Sequence, residues 1–217
     1  MSSEVVGEII ILFIVSFTVG MLFVYSQPAL FKGKDSLLEK DAYFAALDLN
    51  EKINQVRFGM EPNAVIRVHL TDYSVTFRNE PVIIINGTAY NVSSIVFSGK
   101  NWEMAVENGA VIGSWHGDTK LLQAPPVYFN GKTLTMPVIS FNGTVSGGGS
   151  GYITLMTSLE NVSLIKTGPA EIKIRSTHYM VWRDFFKNLG LNPVVSGNEV
   201  KVTVEDSYII LYRVGIE

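Results

Sequence analysis

The chain has 217 residues, a net charge of −3 at pH 7, a pI of about 5.7 and no cysteine. The acidic balance leaves no global basic field to hold nucleic acid or anionic lipid, and the missing cysteine excludes disulfides, thiolate metal sites, c-type haem attachment and cysteine nucleophiles. Apolar residues make up 47% and mean hydropathy is +0.24, and most of that excess sits in the first thirty residues.

The first predicted element is apolar. Ile9 to Tyr25 carries no charge, and with Val5, Val6 and Gly7 it is long enough to cross roughly 30 Å of hydrocarbon. Ser16, Thr18 and Gly20 are its small or polar interruptions, which let neighbouring helices approach closely. The charges around it are unusual. Glu4 and Glu8 precede it, no base does, and Lys32 and Lys34 follow. A cleaved secretory signal fits poorly, because the start lacks positive charge and no small-x-small site follows. Read literally, the positive-inside rule puts the rest of the chain in the cytoplasm. A basic leader removed by processing resolves the anomaly. Glu4 and Glu8 then lie near a new N-terminus, one helical turn apart, where an α-amino group is the available partner.

The stretch "SSEVVGEIIILFIV" resembles the N-terminal segment of archaeal type IV pilins, in which a short "SEVVG" or "SPVIG" element leads into an apolar helix. The resemblance covers Ser2 to Tyr25. The family has a short basic leader, which is missing from this sequence. What the resemblance implies is a filament subunit, cut by a prepilin peptidase, held in the membrane before assembly and bundled with copies of itself afterwards by the pilus assembly machinery. The residues that would carry polymerisation are Glu4, Glu8, Ile9, Ile11, Phe13, Phe17, Gly20 and Phe23.

Pro28 and Gly33 mark a kink or a locally melted joint. Ser36 and Glu39 then form a capping box, and Leu38, Ala42, Ala45, Leu49, Ile53 and Val56 recur at three- and four-residue spacing. That spacing predicts an amphipathic helix, with Gly59 as its C-cap. From Met60 onward, runs such as "AVIRVHL", "YSVTFRN", "PVIIING" and "WEMAVENG" alternate with Gly, Asn and Asp, as antiparallel strands do. Asn130-Gly131 is a hairpin signal. The run "SGGGSG", Ser146 to Gly151, predicts a mobile loop. Ser176 or Thr177 caps a short C-terminal helix whose face is Tyr179, Trp182, Phe186 and Leu189, and Gly190 ends it.

The three histidines, His69, His116 and His178, have no metal or catalytic spacing. "GSWHG" places Ser114 two residues from His116 but offers no nucleophile elbow and no acid partner. No catalytic residue, metal site or cofactor is expected. Four N-x-S/T sequons, at Asn86, Asn91, Asn142 and Asn161, all fall in the β-rich part. They point to an extracellular head that carries glycans.

The sequence thus predicts an α+β fold. A hydrophobic helix (1–28) continues as an amphipathic helix (29–59), followed by a mainly antiparallel β head (60–217) with one short C-terminal helix. The expected function is a non-enzymatic pilin on the cell surface, partnered by copies of itself and by no nucleic acid. The alternatives are a minor pilin or a single-span membrane protein with an extracellular β-rich binding or sensor head.

Overall fold

The computed structural model describes Val15, Phe17, Thr18, Met21 and residues 35–217. The chain from 35 to 57 is helical and is labelled α1. Its buried face is Leu38, Ala42, Ala46, Leu49, Ile53 and Val56. Ala46 takes the core position that spacing had assigned to Ala45, which is half-buried. Ser36 is already helical, so the start of the helix lies outside the described residues. Gly59 ends α1 as expected. At φ +69 it lets its own N–H reach the Val56 carbonyl (3.0 Å) while Met60 N–H reaches Gln55 (2.9 Å), the paired bonds of a Schellman cap.

Fourteen strands follow among the described residues, with one more helix. They are β1 (Asn63–Arg78), β2 (Val82–Ile85), β3 (Thr88–Asn91), β4 (Ser94–Ser98), β5 (Trp102–Glu107), β6 (Ala110–Trp115) and β7 (Asp118–Gln123). Then come β8 (Tyr128–Phe129), β9 (Thr133–Gly143), β10 (Ser146–Thr167), β11 (Ala170–Arg175), α2 (Tyr179–Asn188), β12 (Val194–Ser196), β13 (Glu199–Val204) and β14 (Asp206–Ile216). One sheet has the order β7-β6-β5-β4-β1-β10-β14-β9-β8 and the other β12-β13-β11-β2-β3. The β14–β9 pair is parallel and the remaining neighbours are antiparallel. The glycine-rich run Ser146–Gly151 is not a loop. It is the first part of β10, paired with Leu70–Thr76 of β1 across a bulge at Asp72. A partner strand supplies backbone hydrogen bonds whatever the side chains are, so composition alone misread it.

The large sheet is covered on both faces, and alternation along its strands separates the two. On β14, Tyr212, Val214 and Ile216 join α1 in one core, while Ile209 faces the other. On β9, Ile139 and Phe141 lie on the α1 side, and Leu134, Met136 and Val138 pack with α2 and the smaller sheet. A buried turn locks the layers. Asn50 of α1 donates to the Gly109 carbonyl (3.1 Å), and the neighbouring Asn108 donates to Pro137 O (3.0 Å) and accepts from Ile139 N (2.9 Å).

The expected α+β fold built on one long helix, apolar and then amphipathic, is corrected. Over residues 35–217 the protein is mostly β-sheet with the helices α1 and α2, and no helix among the described residues is long and apolar enough to cross a membrane. The residues of α1 give the reason. Asp35, Glu39, Asp41, Asp48 and Glu51 recur through it, so it suits the boundary between a core and water rather than hydrocarbon. The apolar run before it lies outside the described residues, apart from Val15, Phe17, Thr18 and Met21, which are helical.

Candidate functional site

The four sequon asparagines are exposed. Asn86 (φ +48) and Gly87 (φ +85) form the two-residue turn between β2 and β3, and two successive positive φ values are what a type I′ hairpin turn requires. The Asn86 side chain accepts from Glu171 N at 2.8 Å and donates to Thr167 Oγ1 at 3.4 Å. Asn91 ends β3, and its carbonyl accepts from Ser140 Oγ at 2.8 Å. Ser140 is in register with Arg213, and Arg213 with Asn161. Asn142 lies two residues beyond Ser140 on the same side of β9, and its Nδ2 donates to the Glu160 carboxylate at 2.9 and 3.2 Å. Strand spacing puts Asn142 and Asn161 roughly 12 Å apart. Tyr90, Ser140, Asn161, Ser163 and Arg213 line a shallow cleft.

These asparagines share a side of the molecule. Ser140 and Asn142 continue the β9 face of Leu134, Met136 and Val138, and Arg213 continues the β14 face of Ile209. That is the face turned away from α1. Asn86 belongs to the smaller sheet, which packs on the same side.

A second polar assembly is buried. The Glu107 carboxylate, 1% exposed, accepts from Trp182 Nε1 and pairs with His178 Nδ1 at 3.0 Å. His178 Nε2 lies 3.5 Å from Glu103, which Arg78 holds from its other side at 2.8 and 2.6 Å. Burial alone would lower the His178 pKa, but the hydrogen bonds and charges of Glu103 and Glu107 override it and raise the value to about 9. Burial would raise Glu103, and the bonds from His178 and Arg78 instead bring it to about 2. A histidine held protonated between two carboxylates has no free lone pair, so it is a poor base near neutral pH. The cluster ties α2 and β1 to β5.

Among the sequence-predicted assembly residues, Glu4, Glu8, Ile9, Ile11, Phe13, Gly20 and Phe23 lie outside the described residues, as do Pro28 and Gly33. Phe17 is helical and 56% exposed. His116 (φ +51) sits in the β6–β7 turn, and the Ser114 hydroxyl accepts from Thr119 Oγ1 at 3.4 Å. His69 is exposed on β1. Sequence reasoning missed Arg78, Glu103 and Glu107, because no motif joins residues brought together across 25 to 75 positions. The expected cap, Ser176 or Thr177, is corrected: the N-cap of α2 is His178, with no side-chain capping bond, and the Ser176 hydroxyl accepts from His178 N at 2.9 Å.

A family model described as "Family of unknown function (DUF7289)" matches residues 2–214. No curated protein and no solved structure matches the chain.

Proposed function

The chain belongs to the DUF7289 family, whose function is unknown, and on that premise we propose that it is the structural subunit of an archaeal type IV-like pilus. It polymerises through its apolar N-terminal segment and displays the β-rich part outward. The observation that carries this reading is sidedness. The helix joined to the apolar segment packs on one face of the large sheet, and all four sequons lie on the other side. A subunit whose α1 side turns toward a filament interior would present its sequons to the medium. The family pattern, matched from residue 2, takes in the apolar segment and the β-rich part together.

Before assembly the apolar segment rests in the membrane, and a prepilin peptidase removes a leader. Lipid and a bundle of apolar segments are equally apolar, so packing and polar pairing decide assembly. Glu4, with Glu8, pairs with the N-terminal amine of a neighbour and sets the register. The contact joins different surfaces of two copies, so it extends into a helix and does not close into a ring.

The test is electron microscopy of filaments sheared from the cell surface, with mass spectrometry of their N-terminus. Filaments made of this chain and beginning near Met1 or Ser2 are expected, and Glu4→Gln weakens or abolishes them. Recovery of the chain only in membranes, with an unprocessed N-terminus and no filaments, overturns the reading in favour of a single-span surface protein. Normal filaments from both Glu4→Gln and Glu8→Gln would overturn the pairing role alone.

A further inference from the structure

Strand β1 is long, and only part of it has neighbours on both sides. Strand β10 pairs with it from Asn63 to Thr76, whereas β4 meets only residues 74–78. On the β4 side, residues 63–73 therefore have no partner strand among the described residues. Backbone groups of an antiparallel strand point alternately to its two sides, so those of every second residue in this stretch face the open side. One side-chain bond reaches the stretch from its own strand, from Tyr73 Oη to the His69 carbonyl at 2.9 Å. An open edge of this length is a template for another strand.

A cleft runs along this open edge. Its lining on β1 includes the four consecutive residues 66–69. Successive side chains of a strand point to opposite faces, so a cleft that touches all four lies beside the strand, not over one face. No residue of β10 lines it, which places it on the β4 side. The other wall is α1, through Asp41, Phe44, Ala45 and Asp48, one stripe at three- and four-residue spacing. Asp41 and Asp48 are exposed, and neither is in an ion pair among the described residues. Phe44, 63% exposed, stands between them. The two bases of β1 lean the other way. The Arg67 guanidinium lies 4.2 Å from the Tyr152 ring centre and the His69 ring 4.7 Å from it, and Tyr152 belongs to β10, opposite His69. Both are held over β10, away from the opening. Burial first, and Asp41 second, push the Tyr73 phenol up to about 12, so the field of that carboxylate reaches across the cleft.

We propose that the open edge of β1 takes an added strand from another protein, an extended segment with a base, an apolar residue and a base at alternate positions. Its backbone pairs along residues 63–71. Its two bases meet Asp41 and Asp48, and the apolar residue between them covers Phe44. Backbone bonds supply the affinity and the alternate side chains the selection. Asp41 and Asp48 are about 10 Å apart along the helix axis. The first and third of such strand positions are about 13 Å apart, a difference that the flexible stem of lysine absorbs. A second copy pairing β1 to β1 fits less well. It would bring Arg67 and His69 of both copies together on one face, and like charges opposite each other are destabilising.

The probe is a fluorescent peptide, Thr-Lys-Thr-Val-Thr-Lys-Thr, blocked at both ends and added to the full chain in detergent. Fluorescence anisotropy is expected to show saturable binding, and hydrogen exchange read by mass spectrometry to show new protection over residues 63–71. A version methylated at every backbone nitrogen keeps both charges and donates no backbone bond. It is expected to bind about tenfold more weakly or worse. Asp41→Asn with Asp48→Asn, both at exposed positions, should weaken the parent peptide about tenfold. No saturable binding of the parent peptide overturns the proposal. So does equal binding of the methylated version, which would mean charge attraction without strand pairing. Protection only outside residues 63–71, or unchanged binding to the double variant, overturns it as well.

Discussion

His178 is the residue whose environment departs furthest from what its neighbours in sequence suggest. It precedes α2, and its two ring nitrogens face carboxylates contributed by a strand 71 positions earlier. Around it lie Glu103, Glu107 and, through Glu103, Arg78, with Glu80 accepting the N–H of the adjacent Thr177 at 3.2 Å. Its folded pKa of about 9 lies above the ordinary value of 6.5. Folding therefore takes up a proton in the interval between them. The stabilisation is complete below about pH 6.5 and is lost as pH rises through 9, on the order of 3 kcal/mol in all. Glu103 works at the other end. Its pKa of about 2 lies below 4.5, so its contribution is present above 4.5 and fades as pH falls through 2. Urea melts of the full chain in detergent should show stability declining from neutral pH to pH 10, and His178→Gln should flatten that decline. An unchanged alkaline slope in the variant would show that other groups titrate there. Truncating one partner also leaves a buried carboxylate unpaired, which costs about 3 kcal/mol or more. Glutamine, which can still donate to Glu107, is for that reason the better probe.

Elements were far more legible than this cluster. The period-two runs "AVIRVHL" and "WEMAVENG" became strands because alternation and β-branched side chains act locally. The α1 face and its glycine cap followed from spacing and from one residue's freedom at positive φ. What local pattern could not supply was pairing. The run Ser146–Gly151 has the composition of a loop and the structure of a strand, since β1 lies beside it. The parallel β9–β14 pair joins segments some seventy positions apart, and nothing in either announces it. Gly143 shows how tightly that pair is set. At φ +137 it is in register with Ile216, and a Cβ there would lie 1.9 Å from the Ile216 carbonyl oxygen. Backbone cannot swing aside as the end of a flexible side chain can. Gly143→Ala should therefore cost about 2–4 kcal/mol through strain and the separation of two strands. It leaves Asn142 and Thr144 of the sequon in place. A large drop in melting temperature with the sequon retained is the expected result, and a wild-type melting temperature would show that the two strands part without cost.

At the scale of the whole molecule, sequence patterning treated residues 29–59 as a helix leading to a separate head at 60–217, and packing gives that helix a larger part. Leu49, Ile53 and Val56 are wholly buried and Leu38 nearly so. Leu38, Leu49 and Ile53 share a core with Ile66, Val68, Phe97 and Val106, so among the described residues α1 covers that face of the large sheet. Burying four such side chains contributes about 8 kcal/mol, an upper figure because unfolded chains already bury some surface. That is comparable with the whole stability of a typical domain, about 5–15 kcal/mol. The polar ties point the same way, for without Asn50 the buried Gly109 carbonyl loses its donor. A fragment beginning at Met60 would expose one face of the large sheet and is expected to aggregate or to melt without a cooperative transition. A fragment beginning at Asp35 keeps α1 and should melt cooperatively. Calorimetry of the two, side by side, separates a tether from a core element. Equal melting of both would show that the β-rich part stands alone and that α1 only leans on it. The outcome bears on assembly as well. A helix built into the core hands movement of the apolar segment directly to the sheet, whereas a tether would leave the two sides of the molecule free to turn independently.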